Sequence, residues 1–263
     1  EVKDKYEEFE NKEVILAGRI VAWREHGKLV FGNIQDQSDS IQLMVRESEL
    51  VEDLTKGYLG WDKLTLLDLA DFVEVYGTIG KTKTGEITVM VKKIRLLSKA
   101  LRPIPRELKN KDQQFRRRYL DLVIHPDKVK LFERKAKFWQ VQREFLKSKG
   151  FLEVEVPILE AVTGGADAKP FITHHNALDQ DFFLRISTEL YQKRLIGAGF
   201  EKIYTFGPNF RNEGMDDEHL QEFYDIEWYW AYANYKDNMV LVRELLLEIA
   251  NKVYGKTEFT TRG

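Results

Sequence analysis

Residues 209–232 read Asn209-Phe-Arg-Asn-Glu213, a polar loop, then Phe223-Tyr-Asp-Ile-Glu-Trp-Tyr-Trp-Ala-Tyr232. Side chains alternate faces along a strand, so Phe223, Asp225, Glu227 and Tyr229 share one side and Ile226, Trp228 and Trp230 share the other. Read as two strands around a loop, the stretch predicts a hairpin with one apolar face on a core. The other face carries carboxylates and rings, with Arg211 and Glu213 pointing the same way on the first strand. Such a face either meets water or holds a ligand, because burying that mixture without partners is costly.

The flanking sequence predicts what the hairpin packs on. Lys202-Ile-Tyr-Thr-Phe206 reads as a strand, and Glu189-Leu-Tyr-Gln-Lys-Arg-Leu195 starts a helix after Ser187-Thr188. Upstream lies a Gly-Gly loop, Thr163-Gly-Gly-Ala166. A helix is predicted from Lys128 to Lys149, with Val129, Phe132, Ala136 and Trp139 on one stripe and Gly150 as its stop. Phe151-Leu-Glu-Val-Glu-Val-Pro157 follows as a strand, with Leu152, Val154 and Val156 on one face and Glu153 and Glu155 on the other. Val240 to Val253 closes as an amphipathic helix. Strands and helices do not alternate regularly, which predicts an α+β class with an antiparallel sheet.

The first hundred residues are rich in strand formers. Val14 to Trp23, Lys28 to Ile34, Ile41 to Val45, Phe72 to Gly77 and Glu86 to Val91 read as five strands, with residues 50–71 helical or irregular. Five strands with a helical insert after the third is the pattern of an OB-fold barrel. Arg102-Pro-Ile-Pro105 then punctuates a linker. The expected organisation is a barrel over 1–100, a linker over 101–127 and a second domain over 128–263.

The 263 residues fit two domains at roughly 100–200 residues each. Hydrophobic residues at 43% supply cores and exclude a disordered chain. Forty-one basic against 43 acidic side chains leave a formal charge of −2, which argues against an unselective coat for nucleic acid. The absence of cysteine excludes disulfide scaffolds and thiol catalysis and fits a reducing cytoplasm. No stretch reaches about 18 apolar residues, so no membrane-spanning helix is expected. The charged N-terminus has no apolar signal core.

Phe210-Arg-Asn-Glu213, the loop, and His219-Leu-Gln-Glu-Phe223 resemble motif 2 of the class II aminoacyl-tRNA synthetases. Gly150-Phe-Leu-Glu-Val-Glu-Val-Pro157 with its preceding helix resembles motif 1. Gly164-Gly-Ala-Asp-Ala-Lys-Pro-Phe171, Thr173-His-His-Asn-Ala-Leu178 and Glu189 to Leu195 are similar to the lysyl-tRNA synthetases in particular. The resemblance runs the whole chain, barrel included. It implies a truncated class II catalytic domain behind an OB-fold anticodon-binding domain.

The resemblance also implies roles. Lysine carboxylate and the α-phosphate of ATP are both anions, so a cation must bridge them. Arg211 matches that position, and a planar guanidinium suits it better than lysine. Glu213 matches the acceptor for the adenine amino group, Phe223 the ring that stacks on adenine, and His219 the group near the distal phosphates. His219 also reads simply as a surface loop residue. Glu227 and Tyr229 match the partners of the lysine ε-ammonium, which needs acceptors as it sheds water. Glu189 and the backbone of Gly165 match the holders of the α-amino group, and glycine allows close backbone approach. Glu189 is equally at home as an acidic first-turn residue of a helix. In the barrel Arg24, Phe31 and Gln42 match anticodon contacts, where an unpaired base stacks on a ring and polar groups read its edge. Phe31 could equally fill barrel core. The Arg116 to Arg118 run reads as a solvated charge cluster. Expected ligands are tRNA(Lys), L-lysine, ATP and Mg²⁺, with a cytoplasmic location, homodimerisation through motif 1 and no membrane partner.

Two features depart from the pattern. Many relatives have Arg-His-Asn-Pro-Glu-Phe before the stacking ring, where Glu218-His-Leu-Gln-Glu-Phe stands here. Motif 3 is not found, nor are the usual acidic residues for Mg²⁺. A fragment with weak or no catalysis is therefore expected. The competing reading is a tRNA-binding, dimerising module without catalysis. Aspartyl and asparaginyl relatives would need a cationic or amide-reading pocket, against which Glu189, Glu227 and the Gly-Gly-Ala loop argue.

Overall fold

The computed structural model describes residues 2–105, 107–214, 216 and 219–260. They form two compact units, divided between Pro126 and Asp127.

The first unit opens on a short helix, α1 (Tyr6–Phe9), and five strands follow. They are β1 (Glu13–His26), β2 (Leu29–Gln35), β3 (Ser40–Arg46), β4 (Phe72–Lys81) and β5 (Ile87–Ser98). They close a barrel in the order β1-β2-β3-β5-β4, with β3 and β5 parallel and the other pairs antiparallel. The two-residue period builds it: Val30, Gly32 and Ile34 point inward from β2 while Leu29, Phe31 and Asn33 do not. The interior is apolar, with Ile20, Leu43, Val45, Val75, Ile79 and Val91 among its buried residues. Each such side chain contributes about 1.5–3 kcal/mol by leaving water. Gly77 allows β4 to cross β5 closely, because a Cβ there would lie 2.2 Å from the Met90 carbonyl oxygen. The insert after β3 is two short 3₁₀ turns, Leu54–Lys56 and Trp61–Leu66. The segment that the sequence reads as a linker contains helices α2 (Lys111–Arg116) and α3 (Arg118–Ile124).

The second unit begins with α4 (Val129–Ser148). Then come β6 (Leu152–Glu153), β7 (Leu159–Glu160), β8 (Ile172–His175), β9 (Gln180–Leu184), α5 (Glu189–Gly197), β10 (Lys202–Phe210), β11 (Glu222–Trp230) and α6 (Tyr235–Ile249). One sheet has the order β11-β10-β6 and a smaller one β7-β9-β8. Ile226, Trp228 and Trp230 of β11 lie against a core built from Val141, Phe145 and Leu146 of α4 and Leu241, Leu245 and Ile249 of α6. This is the apolar face expected of the hairpin, and the fold is α+β.

Three local expectations are corrected. The strand predicted over 151–157 stops at Glu153, and Leu152 is 53% exposed. The Val154 N–H still reaches the Tyr204 carbonyl at 2.8 Å, and further on the Val156 and Pro157 carbonyls accept from the Arg185 guanidinium at 3.0 Å and 3.4 Å rather than from a partner strand. The apolar stripe of α4 is covered only in its second half; Phe132 is 48% exposed. Finally, β10 ends at Phe210; Arg211 keeps the pairing register and lies on the Phe223 side, whereas Glu213 lies past the strand and does not continue its face. The Asn212 N–H bonds the Lys169 carbonyl at 2.7 Å and draws the chain away from β11.

Candidate active site

The polar side of the β10–β11 pair forms the floor. Antiparallel register sets Asn209 opposite Phe223, Gly207 opposite Asp225, Thr205 opposite Glu227 and Ile203 opposite Tyr229. Facing pairs point to the same side of a sheet, so the four β11 residues expected to share a face do so.

At one end, the Arg211 N–H bonds the Gln221 carbonyl at 2.9 Å, one pair beyond the strands. Its guanidinium carbon lies 5.0 Å from the centre of the Phe223 ring, a cation–π geometry. Arg211 Nε is buried and makes no hydrogen bond. A cation held over a ring with an unpaired donor is prepared to meet an anion. Glu213 turns elsewhere: its carboxylate accepts the Lys169 N–H at 3.3 Å, and its carbonyl accepts from the Gln221 amide at 3.1 Å. It thereby ties the loop after β10 to the loop that carries Gly164 and Gly165. His219 is exposed, with Nδ1 2.8 Å from both carboxylate oxygens of Asp216. Glu218, the departure in this loop, lies outside the described residues.

At the other end Glu227 is the hub. Its Oε2 accepts from the Thr188 hydroxyl at 2.6 Å, and its Oε1 accepts from the Tyr229 hydroxyl at 3.4 Å. Burial, with the negative charges of Glu227 and Glu189, pushes the Tyr229 phenol well above its ordinary range, so it keeps its proton and donates. Glu189 opens α5; its N–H bonds Ser187 Oγ at 3.1 Å and its carboxylate pairs with Lys193. Gly165 packs on this corner with φ +84°, and a Cβ there would lie 2.8 Å from Glu189 Cβ. Gly165, Glu189, Glu227 and Tyr229 are thus brought together. They make a pocket end with two carboxylates and a protonated phenol, suited to an ammonium group.

Four buried polar residues of this region were not singled out from sequence. Arg185 is 2% exposed, and its Nε donates to the Pro208 carbonyl at 2.9 Å. Burial lowers its affinity for a proton, opposed by the charges of Glu160 and Glu227. Glu160 is buried with one oxygen unpaired, and burial raises its carboxyl above the usual range against the pull of Arg185 and Arg194. The one sequence signal for Arg185 is Gly207, whose Cβ position the guanidinium fills. Thr188 and Gln192 complete the set. Thr188 looks like a helix cap, yet its hydroxyl makes no cap bond and turns to Glu227. Among the described residues no group of three or more His, Asp or Glu side chains is arranged to hold a metal ion.

In the barrel, Arg24 stands directly opposite Phe31, and Asn33 opposite Gln42. All are out of phase with the inward Val30 and Ile34, so Phe31 faces outward rather than filling core. Gln42 Oε1 accepts from the Thr88 hydroxyl at 2.7 Å, and His26 meets the Phe31 ring edge-on at 6.4 Å. Arg24, Phe31 and Gln42 therefore share one outer surface. Among the described residues no helix is long and apolar enough to cross a membrane.

A family model for class II tRNA synthetases (D, K and N) matches residues 110–262, and one for OB-fold nucleic acid binding domains matches residues 14–97. Curated relatives include the lysine–tRNA ligase of Clostridium novyi (strain NT), 46% identical over 100% of this chain and 51% of its own length. The lysine–tRNA ligase of Clostridium tetani (strain Massachusetts / E88) is 45% identical over 98% of this chain and 51% of its own length. That of Thermoanaerobacter sp. (strain X514) is 46% identical over 100% of this chain and 52% of its own length. The chain spans about half the length of the curated relatives it matches.

Proposed function

The chain belongs to the class II tRNA synthetases (D, K and N), and from that premise we propose that it carries the amino-acid-activating site and anticodon-binding barrel of a lysine–tRNA ligase. In that reaction the lysine carboxylate attacks the α-phosphorus of ATP, pyrophosphate leaves, and the lysyl group passes from the adenylate to tRNA(Lys). The observation that carries the reading is the polar β11 face, with a cation stacked on a ring at one end and two carboxylates around Gly165 at the other.

In this reading Arg211 bridges the reacting anions and offsets the charge that develops between them. Phe223 stacks on adenine beneath the same guanidinium. Glu213 takes the adenine amino group once a nucleotide competes with the Lys169 N–H, and His219 turns from Asp216 to the distal phosphates. Glu227 and Tyr229 receive the ε-ammonium; Glu189 and the Gly165 backbone receive the α-amino group. Arg24, Phe31 and Gln42 take an unpaired anticodon base. Mg²⁺ is an expectation of the family. The carboxylates described here do not form a cage for it, so no step is assigned to it. The exposed apolar half of α4 and Leu152 support a homodimer formed through motif 1, and a cytoplasmic location goes with a role in translation.

The test is lysine-dependent ATP–pyrophosphate exchange on this chain, with the other nineteen amino acids as controls. Exchange with lysine alone is the expected signature for a competent site. Exchange with aspartate or asparagine instead would overturn the substrate. Silence with every amino acid is also what a fragment gives, and the full-length polypeptide then decides: exchange with lysine there upholds the reading, and silence there with retained binding of tRNA(Lys) favours the binding module.

A further inference from the structure

We propose that Thr188 and Gln192 form a hydrogen-bond relay that holds the Glu227 carboxylate as an acceptor for the substrate's side-chain ammonium, which makes them positioning residues for substrate selection. This rests on the lysine reading of the pocket given above.

Gln192 lies on α5 one turn after Thr188 and is 0% exposed. Its Nε2 donates to Thr188 Oγ1 at 3.0 Å, and Thr188 Oγ1 donates to Glu227 Oε2 at 2.6 Å. A threonine hydroxyl has one proton to give. Because the Gln192 amide supplies a donor to its lone pair, that proton is committed to Glu227. The short O···O separation is that of a charge-assisted bond to a carboxylate. With the amide reversed, the Thr188 proton would go to Gln192 and Glu227 Oε2 would lose its donor. The direction of the relay and the donor at Glu227 Oε2 therefore go together.

The arrangement has a cost. Gln192 Oε1 is buried and has no hydrogen-bond partner, and an orphaned carbonyl in the interior is destabilising. A leucine of similar size would fill the same space without it. A residue kept only for packing would be better apolar, so the amide points to a task. The task is visible at Glu227. One oxygen is locked by Thr188, while the other has only the long 3.4 Å contact from Tyr229 and stays open to a ligand. Thr188 stands at the start of α5, yet its hydroxyl makes this bond in place of a helix cap.

The experiment measures amino-acid activation by the full-length polypeptide with lysine and with norleucine, which lacks only the ammonium, alongside thermal melting. Thr188→Val and Gln192→Leu are expected to raise KM for lysine about tenfold, the scale of one lost hydrogen bond to a charged group. The preference for lysine over norleucine shrinks to match, and KM for ATP does not move. Thr188→Ser restores the preference. Gln192→Leu melts at or above the wild-type temperature, whereas a structural role would lower it and spare the preference. An unchanged preference in both Thr188→Val and Gln192→Leu overturns the relay alone. A wild-type protein that does not prefer lysine overturns the pocket reading, and the relay with it.

Discussion

Arg211 lies over Phe223 at one end of the β11 face, and Glu227 lies two face positions further along. Each yields a separate expectation. Arg211→Lys keeps the charge but loses the planar fork, and lysine-dependent exchange should fall about 10²–10³-fold, as when one oxyanion donor is removed. An exchange rate within a factor of three of wild type would remove Arg211 from the chemistry. Glu227→Gln keeps the shape and removes the charge. It should raise KM for lysine by about 10–100-fold, the range of a hydrogen bond to a charged group, and leave the ATP dependence in place; a shift in KM for ATP instead would place Glu227 at the wrong end of the pocket. The parity of Glu227 and Tyr229 was readable from the β11 alternation. Arg211 keeps that parity one pair beyond the strand, but Glu213 does not, because the Asn212 N–H turns away to bond Lys169.

Asp71 secures the entry to β4. It is fully buried, and it accepts from Lys99 Nζ at 2.8 Å, the Asp68 N–H at 2.8 Å and the Ala100 N–H at 2.7 Å. Burial opposes its charge, but these donors outweigh burial and hold the carboxyl below its ordinary range. A carboxyl depressed in the folded state contributes stability that is present above the unfolded-state value and is lost as pH falls through the folded one. Asp71→Asn should therefore destabilise the barrel at neutral pH by about 1–3 kcal/mol and flatten the fall in stability below about pH 4. Denaturant melts at pH 3 and pH 7 check both; parallel losses at the two pH values would sink the assignment. In β10, Gly207→Ala places a Cβ 2.1 Å from Arg185 Nη2. Displacing a guanidinium that holds the Val156, Pro157 and Pro208 carbonyls should cost about 1–3 kcal/mol, read as a lower melting temperature of the second unit. The barrel strands were legible because β-branched residues alternate there. The course of residues 156–157 was not, since their carbonyls accept from Arg185, a cation far along the chain.

The two units invite one prediction about assembly. Leu131, Phe132 and Leu152 are exposed on α4 and β6, and a homodimer through motif 1 would cover them. Sedimentation should show a concentration-dependent dimer, and Phe132→Asp should shift it to monomer without changing the melting profile; a wild-type chain that stays monomeric throughout would remove the dimer. The existence of a barrel, a mixed second unit and a polar strand face followed from the order of residues, because side-chain direction in a strand depends on parity alone. Which polar groups meet was decided by the tertiary structure. Thr188 reaches Glu227 across 39 positions, Lys169 reaches Glu213 across 44, and Arg185 reaches Pro208 across 23. Such bonds have no local pattern in the chain; they form only when the β10–β11 sheet, the Gly164–Gly165 loop and α5 close on one another and exclude the water that those groups would otherwise bind.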